Sequence, residues 1–316
     1  MSDQHDHLRI RSIGLYLPDK RESNYEKAER VGFERDFLEN KLGVVSRSVM
    51  DPGETTSDLA IRAFNALTQR CELLLDEIQL LVVVTQHPDF KVPHTAAIVH
   101  NRLGLTKRCM TFDISQGCAG YTHAVTIITG LMDNAKLDHG VLITSDPYSD
   151  KLADDDRDVS LLFGDAATAT YFSRTGTGYR LIDSNFGTLP DSYRCLMFRD
   201  HLEMDGGAVF KNAVKEVPPS LKELLSRNDL DVSDIDLFLL HQGSKYLVEY
   251  VSRKMGIPPE KAPFEAGQYG NTVSSSIPLM LQKHVDAGLL ERIVLSGFGV
   301  GFSWGSNVLQ LSRAEA

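Results

Sequence analysis

The most regular signal along this chain is a set of short, unbroken apolar runs separated by segments whose apolar positions recur at helical spacing. Leu80-Leu81-Val82-Val83-Val84, Val141-Leu142-Ile143, Leu237-Phe238-Leu239-Leu240 and Ile293-Val294-Leu295 are too short for helices and lack the polar alternation of a strand with one wet face. They predict strands buried on both faces, parallel and joined by crossover helices. Two helical patterns look central and buried. One follows Cys118 through Ala119, Val125, Ile128 and Leu131, and the other runs through Ile277, Leu281 and Val285, with Pro278 in the first turn, where proline is tolerated.

The pattern occurs twice. Ile78, just before the first run, recurs as Ile235, 157 positions on; Arg102-Leu103-Gly104-Leu105 recurs as Lys254-Met255-Gly256-Ile257 and Val141 as Ile293, both 152 positions on. Gly117-Cys118 falls on Gly270-Asn271 at an offset of 153, so a thiol and a carboxamide are symmetry mates, each ahead of a helix. The turn-rich stretch from Ser173 to Gly178 divides the chain into halves 1–172 and 173–316.

Composition narrows the class. With 316 residues, 42% hydrophobic and 24% charged, the chain can bury a large core, and no apolar run approaches the roughly 20 residues needed to span a bilayer. The polar, acidic start from Met1 to His7 lacks the layout of a secretory signal, and Cys71, Cys109, Cys118 and Cys195 have neither CxxC nor metal-like spacing, so a cytoplasmic protein with reduced thiols is expected. The net charge of −10 argues against a nucleic-acid partner. The remaining histidines, among them His87, His94, His100, His123 and His139, form no helical metal pair with an acidic helper, so no metal is expected.

Three side chains carry candidate chemistry. Cys118 sits between a strand ending at Ile114 and a helix start, where unpaired N–H groups and the helix dipole favour a thiolate. Cys71, Cys109 and Cys195 have no such setting and read as structural. His241 ends an apolar run, where a histidine is more often a core residue, and Asn271 beside Gly270 could equally be a turn residue or helix cap.

Residues 113–121, Asp156-Arg157, residues 162–166, His241-Gln242, residues 270–278 and residues 298–305 together resemble, in order and spacing, a β-ketoacyl-acyl carrier protein synthase III of the thiolase-like superfamily. The resemblance implies an α/β fold of five layers, αβαβα, built from two pseudo-repeated halves. It implies a two-stage reaction: an acyl thioester, by family default acyl-coenzyme A, acylates Cys118, and malonyl-acyl carrier protein then loses carbon dioxide and condenses with it. The first oxyanion would be held by the backbone N–H groups of Cys118 and Val300, the second by His241 Nε2 and Asn271 Nδ2. No permanently bound cofactor is implied.

The same resemblance assigns Phe37 and Arg157 to an aromatic and guanidinium sandwich for the adenine of coenzyme A. Ser244 stands where the family has an asparagine for the pantetheine arm, and Val300 replaces the middle of three glycines. Phe90 matches a segment that closes the partner's acyl pocket in a homodimer. Lys211, Lys215, Arg253 and Lys254 match positions that dock the acidic carrier. Two competing readings use the same fold: transfer of the acyl group to an amine or alcohol, and a noncatalytic partner subunit, against which the retention of Cys118, His241 and Asn271 argues.

Overall fold

A computed structural model describes residues 7–157 and 159–314. The segment 1–6, on which the expectation about a secretory signal rests, and Asp158 in the acidic run around Arg157 lie outside the described residues. The first half holds strands β1 (Arg9–Tyr16), β2 (Arg21–Ser23), β3 (Ser46–Ser48), β4 (Leu80–Val84), β5 (Met110–Ile114), β6 (His139–Ser145) and β7 (Ala167–Ser173). Its helices are α1 (Tyr25–Arg30), α2 (Arg35–Phe37), α3 (Thr56–Thr68), α4 (Thr95–Leu103) and α5 (Gly120–Ala135). The second half holds β8 (Gly178–Thr188), β9 (Leu196–Phe198), β10 (Leu202–Met204), β11 (Leu237–Leu240), β12 (Arg292–Gly299) and β13 (Ser303–Ser312), with α6 (Gly206–Arg227), α7 (Lys245–Met255) and α8 (Ser276–Ala287).

Every residue of β4 and β11 is buried, and alternate side chains go to different layers. Leu80, Val82 and Val84, with Leu237 and Leu239, pack on α5 and α8 in one core. Leu81 and Val83 face residues of α3 and α4, whereas Phe238 and Leu240 face α6 and α7. That alternation generates the five layers: α3 and α4, a sheet, α5 with α8, a second sheet, then α6 and α7. Continuous apolarity in the sequence is the mark of a strand with helices on both sides.

The strand order is β5-β4-β6-β7-β1 in one half and β11-β12-β13-β8 in the other, and a single pairing of Ile10 with Tyr179 joins them edge to edge. The parallel pairing expected of the four apolar runs is found, β4 with β6 and β11 with β12, but each half also holds antiparallel strands. Parallel pairing is confined to β5, β4 and β6 and to β11 with β12, while β7 with β1 and β13 with β8 are antiparallel. A parallel neighbour needs a crossover of a dozen or more residues, and β13 follows β12 after only Val300–Phe302, so it must fold back. Among the described residues no helix is long and apolar enough to cross a membrane.

The two halves meet at glycines. A Cβ on Gly297 of β12 would lie 2.7 Å from the carbonyl oxygen of Cys118 and 2.9 Å from the Cα of Ala119, so the strand runs against the main chain at the start of α5. In contrast, Gly130 stands exposed in α5 with nothing within 4 Å of an added Cβ. Gly297→Ala is therefore expected to cost about 1–3 kcal/mol of stability by overpacking, whereas Gly130→Ala is expected to add about 0.5–1 kcal/mol through helix propensity. Urea unfolding midpoints of the two variants, shifted in opposite directions, are the check.

Candidate active site

Cys118 lies in the turn that starts α5: the Gly120 N–H donates to the Gly117 carbonyl at 2.7 Å, and Ala119 caps the helix. A Cβ on Gly299 would come within 2.8 Å of the Cys118 sulfur, which brings the end of β12 directly over the thiol. The thiol is 5% exposed and receives the backbone N–H groups of Val300 and of Cys118 itself. Its acidity runs against the expectation of a favoured thiolate. Burial, with the Asp146 carboxylate nearby, pushes the thiol up to about 12, and the two N–H donors only partly offset this. Desolvation outweighs the helix start because the sulfur has been removed from water.

Acidity does not single Cys118 out, since burial also pushes Cys109 up to about 11 and raises Cys71 and Cys195. Location does. Alone among the four, Cys118 borders both cavities that meet at the centre of the fold. One, of about 370 Å³, also touches His241, Asn271, Phe298 and Gly299. The other, of about 540 Å³, touches Gln86, Tyr148, Phe163, Leu196 and Val300.

His241 continues the ladder of β11, its N–H donating to the Ser296 carbonyl at 2.8 Å. Its Nδ1 is 2.8 Å from the Ser276 hydroxyl at the start of α8, and its ring stands edge-on to Phe298. Burial pushes the imidazole down to about 3, so it is neutral at neutral pH. When Ser276 donates to Nδ1, the other nitrogen carries the proton.

Asn271 is fixed by its own turn. Its Oδ1 accepts the Val273 N–H at 2.9 Å, which identifies the oxygen and leaves Nδ2 as the end available to the cavity. The turn is unusual: Val273 has φ +53°, and Gly270, at φ +85°, has no room for a side chain against the main chain of Gly164. Asp146 ties this turn to the end of β4, accepting the Gln86 N–H at 2.7 Å and a short hydrogen bond from the Ser274 hydroxyl. Burial pushes its carboxyl up to about 6 against those donors.

The outlying positions fall as follows. Phe37 and Arg157 border the smaller cavity, but they do not face each other across a gap. Phe33 stands between them, stacked on Phe37 at 4.1 Å with the Arg157 guanidinium 4.2 Å from its centroid. Ser244 also borders this cavity, yet its hydroxyl caps α7 by accepting the Leu247 N–H. Phe90, 61% exposed, borders the larger cavity of its own chain. Lys211 and Lys215 lie within α6, whose first turn is Gly206 and Gly207, and Arg253 and Lys254 end α7 over the Tyr250 ring. None of these four borders the smaller cavity; besides Arg157, Lys41 does, 4.4 Å from the centre of the Tyr246 ring. Phe33, Lys41, Tyr246, Gln86, Tyr148 and Asp146 went unread in the sequence, since none belongs to a segment of the resemblance, and Ser276, within residues 270–278, was given no role. For Ser276 alone, its place five residues after Asn271 offered a hint.

Known proteins are similar to this chain over nearly its whole length. Profiles described as 3-oxoacyl-[acyl-carrier-protein] synthase III match residues 112–190, and for its C-terminal part, residues 225–311. A β-ketoacyl-[acyl-carrier-protein] synthase III of Streptococcus suis is 31% identical over 97% of this chain and 99% of its own, and one of Neisseria meningitidis 30% identical over 96% and 99%. The crystal structure of 3-oxoacyl-(acyl carrier protein) synthase III from Pseudomonas aeruginosa superposes with a TM-score of 0.88 at 28% identity, covering 98% of this chain and 100% of that one. With an identity of this level sustained from end to end, the chain belongs to the 3-oxoacyl-[acyl-carrier-protein] synthase III family of enzymes.

Proposed function

We propose that this protein joins an acyl thioester to malonyl-acyl carrier protein through an acyl-Cys118 intermediate, releasing carbon dioxide and a 3-oxoacyl-acyl carrier protein. The observation that carries this reading is the meeting of Cys118, His241 and Asn271 on one cavity, with Nδ2 of Asn271 and the imidazole edge turned to it.

In the first step the Cys118 sulfur attacks the thioester carbonyl; the new C–S bond forms, the old one breaks, and the thiol proton leaves with the departing thiol. Charge that develops on the carbonyl oxygen is held by the N–H groups of Cys118 and Val300. In the second step the malonyl thioester loses carbon dioxide, and the enolate oxygen is held by His241 Nε2–H and Asn271 Nδ2. The enolate carbon attacks the acyl carbonyl, and Cys118 departs and recovers a proton. A neutral imidazole suits a donor, because an enolate facing a buried cation would be trapped rather than turned over.

The phosphopantetheine arm would enter along the smaller cavity past Ser244, and the acyl group would lie in the larger one. Coenzyme A and acyl carrier protein are the thioester carriers, with nothing bound permanently. A second copy of the chain is assigned to β5, which among the described residues pairs only with β4 and leaves its other edge open. Exposed Met110, Phe90 and Val92 line that side as apolar surface for a homodimer. The four free thiols suit the reducing cytoplasm.

Acylation and condensation separate in the test. Wild-type protein given an acyl thioester should gain the acyl mass on Cys118, then release carbon dioxide and product only when malonyl-acyl carrier protein is added; Cys118→Ala should do neither, and Cys109→Ala both. Turnover to an amine or alcohol without malonate would sink the condensing reading.

His241→Ala and Asn271→Ala should still acylate at Cys118 while condensation falls by about 100-fold or more, the scale for losing one oxyanion donor. Stopped-flow acylation beside radiolabelled carbon dioxide release reads both halves. A loss confined to acylation would reverse the assignment of the two oxyanion sites.

Carrier docking is assigned to Lys211, Lys215, Arg253 and Lys254, which offer positive charge to an acidic partner on a chain of net charge −10. Lys211→Glu with Arg253→Glu should raise KM for malonyl-acyl carrier protein at least about tenfold and leave acylation from a coenzyme A thioester nearly unchanged. Equal weakening of both, measured across a salt series, would remove this patch from consideration.

A further inference from the structure

The larger cavity beside Cys118 is lined by Phe163, Leu196, Leu202, Val273 and Val300, with His87, Asp89, Lys91, Ser115 and Lys151 also on its wall, and it holds one carboxamide. It belongs to Gln86, two residues past the end of β4. The Gln86 main chain is pinned by the Asp146 carboxylate, and the Tyr148 hydroxyl donates to Oε1 at 3.2 Å. Nε2 meets no acceptor among the described residues. Tyr148 is itself 8% exposed, with its ring tilted against Phe163, and its hydroxyl has Gln86 as its one hydrogen-bond partner among the described residues.

The amide stands near the nucleophile rather than at the outer end of the cavity. A Cβ on Gly117, the residue before Cys118, would lie 2.6 Å from Gln86 Oε1 and 2.7 Å from a methyl of Val300. An acyl group on Cys118 that occupies the larger cavity shares it with this amide. A plain hydrocarbon chain there would strip water from Nε2 and supply no acceptor, which is the arrangement by which a binding site rejects a substrate lacking a hydrogen-bonding group. Turning the amide over leaves the argument intact: one end is engaged by Tyr148 and the other is unanswered. A hydroxyl, being both donor and acceptor, answers either orientation, whereas a carbonyl answers only one.

We infer that the acyl group this enzyme accepts carries a hydroxyl a few carbons from the thioester, read by the Gln86 carboxamide and Tyr148. The inference rests on the acyl-Cys118 reading and names the class of substrate for it. Acylation remains a simple exchange: the C–S bond to the carrier breaks, that to Cys118 forms, and the hydroxyl is bound but not altered.

The test offers butyryl, (R)- and (S)-3-hydroxybutyryl and 4-hydroxybutyryl thioesters, each on coenzyme A and on acyl carrier protein, and follows mass gain on Cys118 by intact-protein mass spectrometry. At least one hydroxyacyl group should load about tenfold or more faster than butyryl. Gln86→Leu should erase that ratio chiefly by speeding butyryl, and Tyr148→Phe, which frees the amide to turn, should reduce it. Butyryl loading as fast as every hydroxyacyl group in the wild type would overturn the inference, as would a ratio unchanged in Gln86→Leu. Should Gln86→Leu fail to fold, an unchanged ratio in Tyr148→Phe overturns it instead. Absence of any adduct from any thioester would defeat the acyl-cysteine reading on which it stands, an outcome distinct from loading without preference.

Discussion

The site exists because one strand end can touch another segment's main chain. At Gly297 and Gly299, β12 passes so close to Cys118 and Ala119 that a single methyl would collide with backbone atoms or with the sulfur. That contact brings the Val300 N–H onto the thiol, shuts water out of the turn and locks the second half against the start of α5. Gly270 does the corresponding service at the symmetry-related turn, fitting Asn271 against Gly164. Packing at these points has no slack, and the donors acquire their directions from it.

A second consequence of the burial is electrical. The thiol is protonated, the imidazole neutral and the third member an amide, so the three central groups bring no formal charge to the cavity at rest. The one buried acid beside them, Asp146, is satisfied by a main-chain N–H and a serine hydroxyl. In the proposed reaction, stabilisation of an oxyanion would fall to fixed dipoles in a dry setting, which need no reorganisation when charge appears.

Much of this was legible in the sequence, for identifiable reasons. Unbroken runs such as Leu80–Val84 revealed doubly covered strands, and the recurrence of Gly117-Cys118 as Gly270-Asn271 revealed the internal symmetry, because both are one-dimensional patterns. The antiparallel inner strands were not legible, since hydrophobic pattern does not record direction; for β13 the short Val300–Phe302 connection dictates it. The acidity of Cys118 came out with the wrong sign because a helix start is visible in sequence and desolvation is not. Phe33 and Gln86 were missed for a further reason. Their significance comes from Arg157 and from Tyr148 with Gly117, brought to them by folding and not by any local spacing.

The stack of Arg157, Phe33 and Phe37 would make entry of a planar base between Phe37 and Arg157 a two-state matter. A planar base that is to lie between Phe37 and Arg157 must first evict Phe33, so its apparent affinity is the intrinsic one scaled down by the fraction of molecules whose stack is open. A thioester arm that carries no base threads past without waiting for that opening. With the base site between Phe37 and Arg157 that the resemblance implies, the ring of Phe33 would filter carriers, sorting donors by what hangs from the far end of the arm, a part of the molecule that never approaches the reacting carbon.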